Sequence, residues 1–326
     1  MDRFVPRDDD KAGAEEAAFI APELRQGKPV MASEARQSIA IIASKTQPPI
    51  PVMASEVWQS MADVANPGVS GIDWTAPWLA DWRAVGEPIA RRVVTGCPQA
   101  QALTEAGLSP VAFVPQAELP DGQAYEDFIF AKGQVPTREG LHDFFNALCW
   151  MHFPLAKRQL NCIQATEIAR QGVGQVRGPV RDAATVFDEN ALLIQPSDAL
   201  WAALTEHRWQ DALLGLRHDW AHTRLWVFGH AALEKLVQPY KSITVHLWRV
   251  PQTVAPSAID AWLAQDLSAD KLATKPFSPL PVLGVPGWWS ANAAPAFYDD
   301  AEVFRPRRMR AQVKKPYANA EIVPSP

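Results

Sequence analysis

The chain has 326 residues, 48% of them hydrophobic and 21% charged, with a formal net charge of −5. That balance is ordinary for a globular protein and far from the low-hydrophobicity composition that keeps a chain unfolded. No apolar run reaches the roughly eighteen residues a membrane helix needs, and the first twenty residues lack the basic start and apolar block of an export signal, so a cytoplasmic protein without a membrane partner is expected.

Charge is unevenly divided. Residues 1–70 carry net −3, residues 71–304 net −7 and residues 305–326 net +5. An acidic body is repelled by phosphate backbones, which argues against nucleic acid as its partner. Basic residues in RPRRMRAQVKK read as a solvated tail. Cys97, Cys149 and Cys162 sit in apolar surroundings without metal or disulfide spacing and read as reduced core thiols.

In chain order, the first feature is a direct repeat: PVMASEARQSIA at residues 29–40 returns as PVMASEVWQSMA at 51–62. Two copies are too few for a solenoid, and the prolines between them break any helix. Residues 1–70 are therefore expected to be a disordered leader, 71–306 one globular domain and 307–326 a disordered basic tail. Trp74, Trp78 and Trp82 lie four apart, on one side of a helix if that segment is helical, and read as core anchors. SPVAFVPQAEL reads as strand or extended chain. Thr137 is placed as the N-cap of a helix over about 138–152, Pro154 stops it, and a second helix runs from Leu155 to about Arg170, ending at Gly172.

Beyond the glycine-bearing loop QGVGQVRGP, the apolar runs around Asp188, Glu189 and Asn190 predict a β-hairpin. Ser197 caps a helix, and the chain then reads as helical to Pro239. SITVHLWRV is strand-like, a Ser257-capped helix follows, and the Pro-, Gly- and Trp-rich segment after residue 276 wraps the surface as an aromatic strap. The whole is a helix-rich α+β domain with a small, mainly antiparallel sheet.

Four stretches in this order, LHDFFNALCWMHFPLAKRQLN, RGPVRDAATVFDENALL, FGHAALEKLVQPYKSITVH and LPVLGVPGWWSANAAPAFYDDAEVFRP, resemble the bacterial family called domain of unknown function 3025. The likeness runs from about Gly71 to Arg305. It implies a family and no activity.

The candidate chemistry is a polar set. His142 and Asn146 are four apart on one helix, as are Lys157 and Asn161 on the next, and a helical hairpin would bring the pairs together. His142, Asp143 and Asn146 suit acid/base work or help in holding a divalent ion. They equally suit a helix N-terminus and interhelical hydrogen bonds. His230 and Glu234, at i and i+4, can share a proton or a metal, with His246 on the following strand as the third member of such a site, or they can form an ordinary intrahelical hydrogen bond that fixes a half-buried ring.

Arg181 and Asp182 sit ahead of the hairpin, where a salt bridge is the commonest reading; a substrate clamp on a carboxylate or phosphate needs Arg181 free. A divalent metal is the one cofactor these side chains suggest, without a ligand set to fix it. His218 and His222 imitate half of a zinc helix but lack the glutamate that HExxH hydrolysis uses. Phosphate-loop, dinucleotide and serine-hydrolase signatures are absent from the sequence.

Two functions follow. One is a hydrolase-like enzyme acting on an anionic substrate, with His142, Asp143, Asn146, His230, Glu234 and His246 as its chemistry and Arg181, Asp182, Lys157 and Asn161 as substrate contacts. The other is a non-catalytic binding or scaffolding protein that presents Trp288 and Trp289.

Overall fold

Ala191–Gln195 (β3) is a short apolar run in which all five residues are buried, the pattern of a strand covered on both faces. In the computed structural model, which describes residues 68–172 and 178–307, β3 is an interior strand of a four-stranded sheet. It pairs antiparallel with Arg224–Val227 (β4) and parallel with Thr244–Arg249 (β5), whose other edge pairs antiparallel with Ser278–Pro281 (β6). Two prolines on β6 fit its edge position, since proline cannot donate to a ladder. Ala112–Pro115 (β1) and Gln134–Thr137 (β2) form a separate two-stranded parallel pair. The described residues are thus a helix-rich α+β arrangement whose larger sheet is mainly antiparallel, and none of their helices is long and apolar enough to cross a membrane.

Arg83–Val94 (α1), Gln99–Glu105 (α2) and Tyr125–Lys132 (α3) precede the pair that matters for the site, Leu141–His152 (α4) and Pro154–Gln171 (α5). Only Phe153 separates α4 from α5, and Pro154 opens the second helix, where a missing N–H costs nothing. The Asp260 carboxylate accepts the Leu155 and Ala156 amides at 3.0 and 2.9 Å, satisfying donors that the first turn leaves free. Pro179–Asn190 (α6) then runs without a loop into β3, and His230–Lys235 (α8) follows β4, with Asp198–Thr205 (α7) between them in sequence.

Gly229 is the hinge of this corner. A Cβ there would lie 2.5 Å from both the Asn190 Cα and the Glu189 carbonyl oxygen, so only glycine lets α8 press against the α6–β3 junction.

Several sequence expectations hold. The β1 and β5 strands form, Gly172 ends α5 with φ 71°, and the Ser197 hydroxyl accepts the Leu200 amide. All three cysteines are free. Cys149 is buried and donates to the Phe228 carbonyl at 3.1 Å, and burial pushes its thiol well above the ordinary range. Trp78 and Trp82 are buried, but the three early tryptophans do not share a helix: Pro77–Leu79 is a 3-10 turn and α1 begins only at Arg83.

Others need correction. Thr137 closes β2, donating to the Val135 carbonyl, and α4 begins at Leu141 after Gly140 turns the chain at φ 127°. The hairpin around Asp188 is instead α6. Ala183, Ala184 and Phe187 recur at helical spacing and are fully buried, which outweighs the turn propensity of Asp188, Glu189 and Asn190. The helical reading up to Pro239 misses β4, recruited by its pairing with β3. Ser257 makes no cap, and the strap contains β6. The repeat, most of the leader, the tail after residue 307 and the loop at 173–177 lie outside the described residues.

Candidate functional site

Four helices, α4, α5, α6 and α8, bring the polar set together. On α4, His142 is on the first turn and half exposed, while Asp143 and Asn146 are buried. The Asp143 carboxylate is committed locally: it accepts the Arg138 amide at 2.7 Å and pairs with the Arg138 guanidinium at 3.0 Å, holding the turn that leads into the helix. Its neighbour faces the other way. His142 Nδ1 lies 2.9 Å from Glu234 Oε2 on α8, and His142 Nε2 lies 3.2 Å from His230 Nε2 at the start of that same helix. The two rings meet edge to face, centroids 4.6 Å apart.

His230 is 5% exposed, so burial pushes its imidazole down to about 4 despite the Asp188 carboxylate beside it. The opposite holds for His142, where the hydrogen bond to Glu234 raises the pKa above its ordinary value even against partial burial. Behind His230, its Nδ1 faces Asp188 Oδ2 at 3.8 Å, and the other Asp188 oxygen accepts from Lys157 Nζ at 2.5 Å. Burial alone would raise the Asp188 carboxyl, but Lys157 and His230 together hold it below the usual range. Lys157 also donates to Asn146 Oδ1 at 2.8 Å, and Asn146 donates to the Tyr125 hydroxyl at 3.2 Å. A continuous line of polar contacts thus runs from Glu234 through His142, His230, Asp188 and Lys157 to Asn146.

This line opens onto a cavity of about 480 Å³, lined by His142, His230, Asp188 and Arg181 among others. Arg181 Nε is buried and without a partner among the described residues. Its sequence neighbour does not neutralise it. Asp182 points away and pairs with Lys275 at 2.5 Å in an exposed ion pair. Arg181, Thr185 and Asp188 stand at i, i+4 and i+7 of α6 and all face the cavity, one stripe of a helix.

Of the residues singled out from sequence, His142, His230, Glu234, Asn146 and Lys157 converge, and Arg181 joins them at the cavity wall. The other four play different parts. Asp143 is a structural ligand of Arg138, although its side chain touches the cavity. Asn161 donates to the Glu126 carbonyl at 2.8 Å and carboxylate at 2.6 Å, tying α5 to α3 at the cavity's edge. Asp182 is at the surface. His246, expected as a third member beside His230 and Glu234, lies on β5 with its ring against Phe277 and is no part of the cavity. The i, i+4 pairing of His230 with Glu234 also fails: Glu234 reaches across to α4 rather than along its own helix.

The residue that sequence reasoning missed is Asp188, read as a turn former. A helical reading from Pro179, which suits the first helical position, would have put it in register with Arg181. Half of the zinc-helix imitation resolves simply: His218 is exposed, its Nε2 2.7 Å from Asp219. Among the described residues, no group of three or more His, Cys, Asp or Glu side chains is arranged to hold a metal ion.

A family model described as a protein of unknown function (domain of unknown function 3025) matches residues 111–308. The chain belongs to that family. The match starts later than the likeness seen from about Gly71, and it contains every residue of the polar line. No curated protein and no solved structure matches the chain.

Proposed function

We propose that this member of the domain of unknown function 3025 family is a hydrolase-type enzyme that handles an anionic substrate in the cavity between α4, α6 and α8. The observation that carries the reading is the convergence of the His142–His230 pair and Arg181, whose Nε lacks a partner among the described residues, on one cavity. A guanidinium with a buried, unpartnered Nε is poised for a two-pronged contact to a carboxylate or phosphate. Its pairing with substrate would satisfy a donor that the free protein leaves unmet.

The chemistry assigned to the pair is proton transfer. Glu234 accepts from His142 Nδ1–H, which fixes the ring and turns Nε2 toward His230 and the cavity. The Asp188 carboxylate, 3.8 Å from His230 Nδ1 and not hydrogen-bonded to it, favours a proton there by its charge alone. With both Nδ1 atoms protonated, two Nε2 lone pairs meet at 3.2 Å, a repulsive contact unless a positive centre lies between them. A single shared proton is the simplest such centre. Donating it to the leaving group of a scissile bond, and recovering it from the attacking water, completes one hydrolytic cycle with no net change in the protein. Water is the nucleophile in this scheme, because the buried Cys149 thiol is held protonated and is spent on a core carbonyl.

The alternative, a binding or scaffolding protein presenting Trp288 and Trp289, draws less support. Both indoles are half-buried and packed against the core, Trp288 at 6.2 Å from the Trp78 ring. The test is turnover of chromogenic esters in matched anionic and uncharged forms. The expected outcome is activity confined to the anionic set, reduced about 100-fold or more in His142→Gln and shifted to higher KM in Arg181→Gln. Equal rates for both sets, or full activity in His142→Gln, would remove the proposal.

A further inference from the structure

The convergence of two imidazole nitrogens on one point has a second consequence, which rests on the reading of this cavity as the reactive site. We infer that the His142–His230 pair is a binding site for an exchangeable divalent cation of the zinc type, held by the two Nε2 atoms and open to the cavity on its remaining positions.

Three observations lead there. The first is the bite. Two nitrogens each about 2.05 Å from a tetrahedral ion lie about 3.3 Å apart, and the two Nε2 atoms are 3.2 Å apart. The second is what stands behind each ring. A metal-bound imidazole presents its other N–H to a carboxylate or carbonyl, which fixes the tautomer and strengthens the donor nitrogen. Here His142 Nδ1 is hydrogen-bonded to Glu234 at 2.9 Å, while His230 Nδ1 makes no hydrogen bond and has the Asp188 carboxylate 3.8 Å away as a nearby charge, supplied by a different helix. The third is rigidity. His230 is buried at the N-terminus of α8, where Gly229 locks that helix against the α6 backbone, and Asp188 is itself held by Lys157. The two nitrogens are therefore held close together before any ion arrives.

No third histidine, cysteine or carboxylate among the described residues completes a cage. Two protein ligands make the ion exchangeable rather than structural, and they leave coordination positions on the cavity side for water and for the substrate anion. There the ion lowers the pKa of a bound water and polarises the bond under attack, the role otherwise left to the shared proton.

The test uses the full chain without a histidine tag, stripped with chelator and titrated with zinc chloride, and with cobalt chloride for its visible absorption. The expected result is one equivalent bound, with affinity falling about 100-fold or more in His142→Gln and in His230→Gln. In Glu234→Gln, which keeps the ring's hydrogen bond but removes the charge behind it, affinity falls about 10-fold or more. His218→Gln, at the exposed histidine outside the cavity, leaves binding unchanged. Should the buried His230→Gln variant fail to fold, side-chain nitrogen spectra of the parent decide: zinc must shift both Nε2 resonances while both Nδ1 atoms keep their protons.

Absence of binding at about 1 mM ion overturns the inference, as does binding that survives both His→Gln changes. Inorganic phosphate binding by the metal-free protein, and its loss in Arg181→Gln, is measured in parallel. If phosphate binds and zinc does not, the cation site falls and the anion site stands; if neither binds, the cavity's assignment falls with it.

Discussion

Two cavities of similar size invite comparison. The one between α4, α6 and α8 has about 480 Å³ and is walled by charge and imidazole. A second, of about 530 Å³, lies under the C-terminal strap, walled by Trp209, Pro279, Pro281, Val303 and the ring of His207. Each contains a histidine whose Nδ1 is buried without a hydrogen bond, His230 in the first and His207 in the second, and His246 on β5 makes a third such case outside both. In all three, burial depresses the imidazole. Burial alone therefore marks nothing. What distinguishes His230 is a second imidazole on one side and a carboxylate on the other, each anchored by a further residue. The larger cavity also has polar lining, in Ser242, Thr244, Glu302 and Arg305, but no pair of imidazoles.

The sharpest way to break the distinction is to cut the line behind His230. Lys157 is 5% exposed and its partner Asp188 nearly as enclosed, so Lys157→Ala strands a buried carboxylate. Unfolding in urea should show a loss of about 3–5 kcal/mol. The double change Lys157→Met with Asp188→Leu should recover much of it while still abolishing the site. A loss below about 1 kcal/mol for the single change would mean that the line is not a structural unit.

Next in size is Gly229→Ala, which forces a methyl group into the α6 backbone and should cost about 1–3 kcal/mol. It should also separate the two imidazoles, read as loss of the coupled His142 and His230 ring resonances. On the other side of the comparison, His207 holds a left-handed φ of 56° that glycine adopts freely. His207→Gly should leave stability unchanged or raise it by up to about 1 kcal/mol, and leave anion binding untouched.

The smallest effect concerns pH. The folded His246 has its pKa lowered by burial, so the unfolded chain binds the extra proton first and stability falls as pH drops below about 6.5. His246→Gln should make that acid limb shallower, leaving the shares of His230, His207 and His152, which burial lowers as well. An unchanged limb would place the acid sensitivity elsewhere.

How much of this was legible in the sequence follows from which forces act locally. The α4–α5 hairpin and the meeting of Asn146 with Lys157 could be read from i, i+4 spacing and the Pro154 break, because helix periodicity and proline geometry are local. Arg181 could be proposed as an anion clamp for the same reason, although its freedom depended on Lys275, distant in sequence, capturing Asp182. The His142–Glu234 contact spans 92 positions and the His142–His230 contact 88, and no local pattern encodes either. His230 and Glu234 share a helix, yet both turn to His142, because the close approach at Gly229 faces α8 onto α4 and α6 together. Asp188 was hidden by its own chemistry: Asp-Glu-Asn favours turns in isolation, and only the burial of Ala183, Ala184 and Phe187 against the core keeps the helix going through it.

The central claim is that His142, His230 and Arg181 act on one anion. The most direct measurement is titration of the full chain with inorganic phosphate, followed through the ring resonances of all seven histidines. The account predicts that His142 and His230 shift together and saturably, that His207 and His246 stay still, and that Arg181→Gln abolishes the response. Silent His142 and His230 rings, or a response that survives Arg181→Gln, would contradict it.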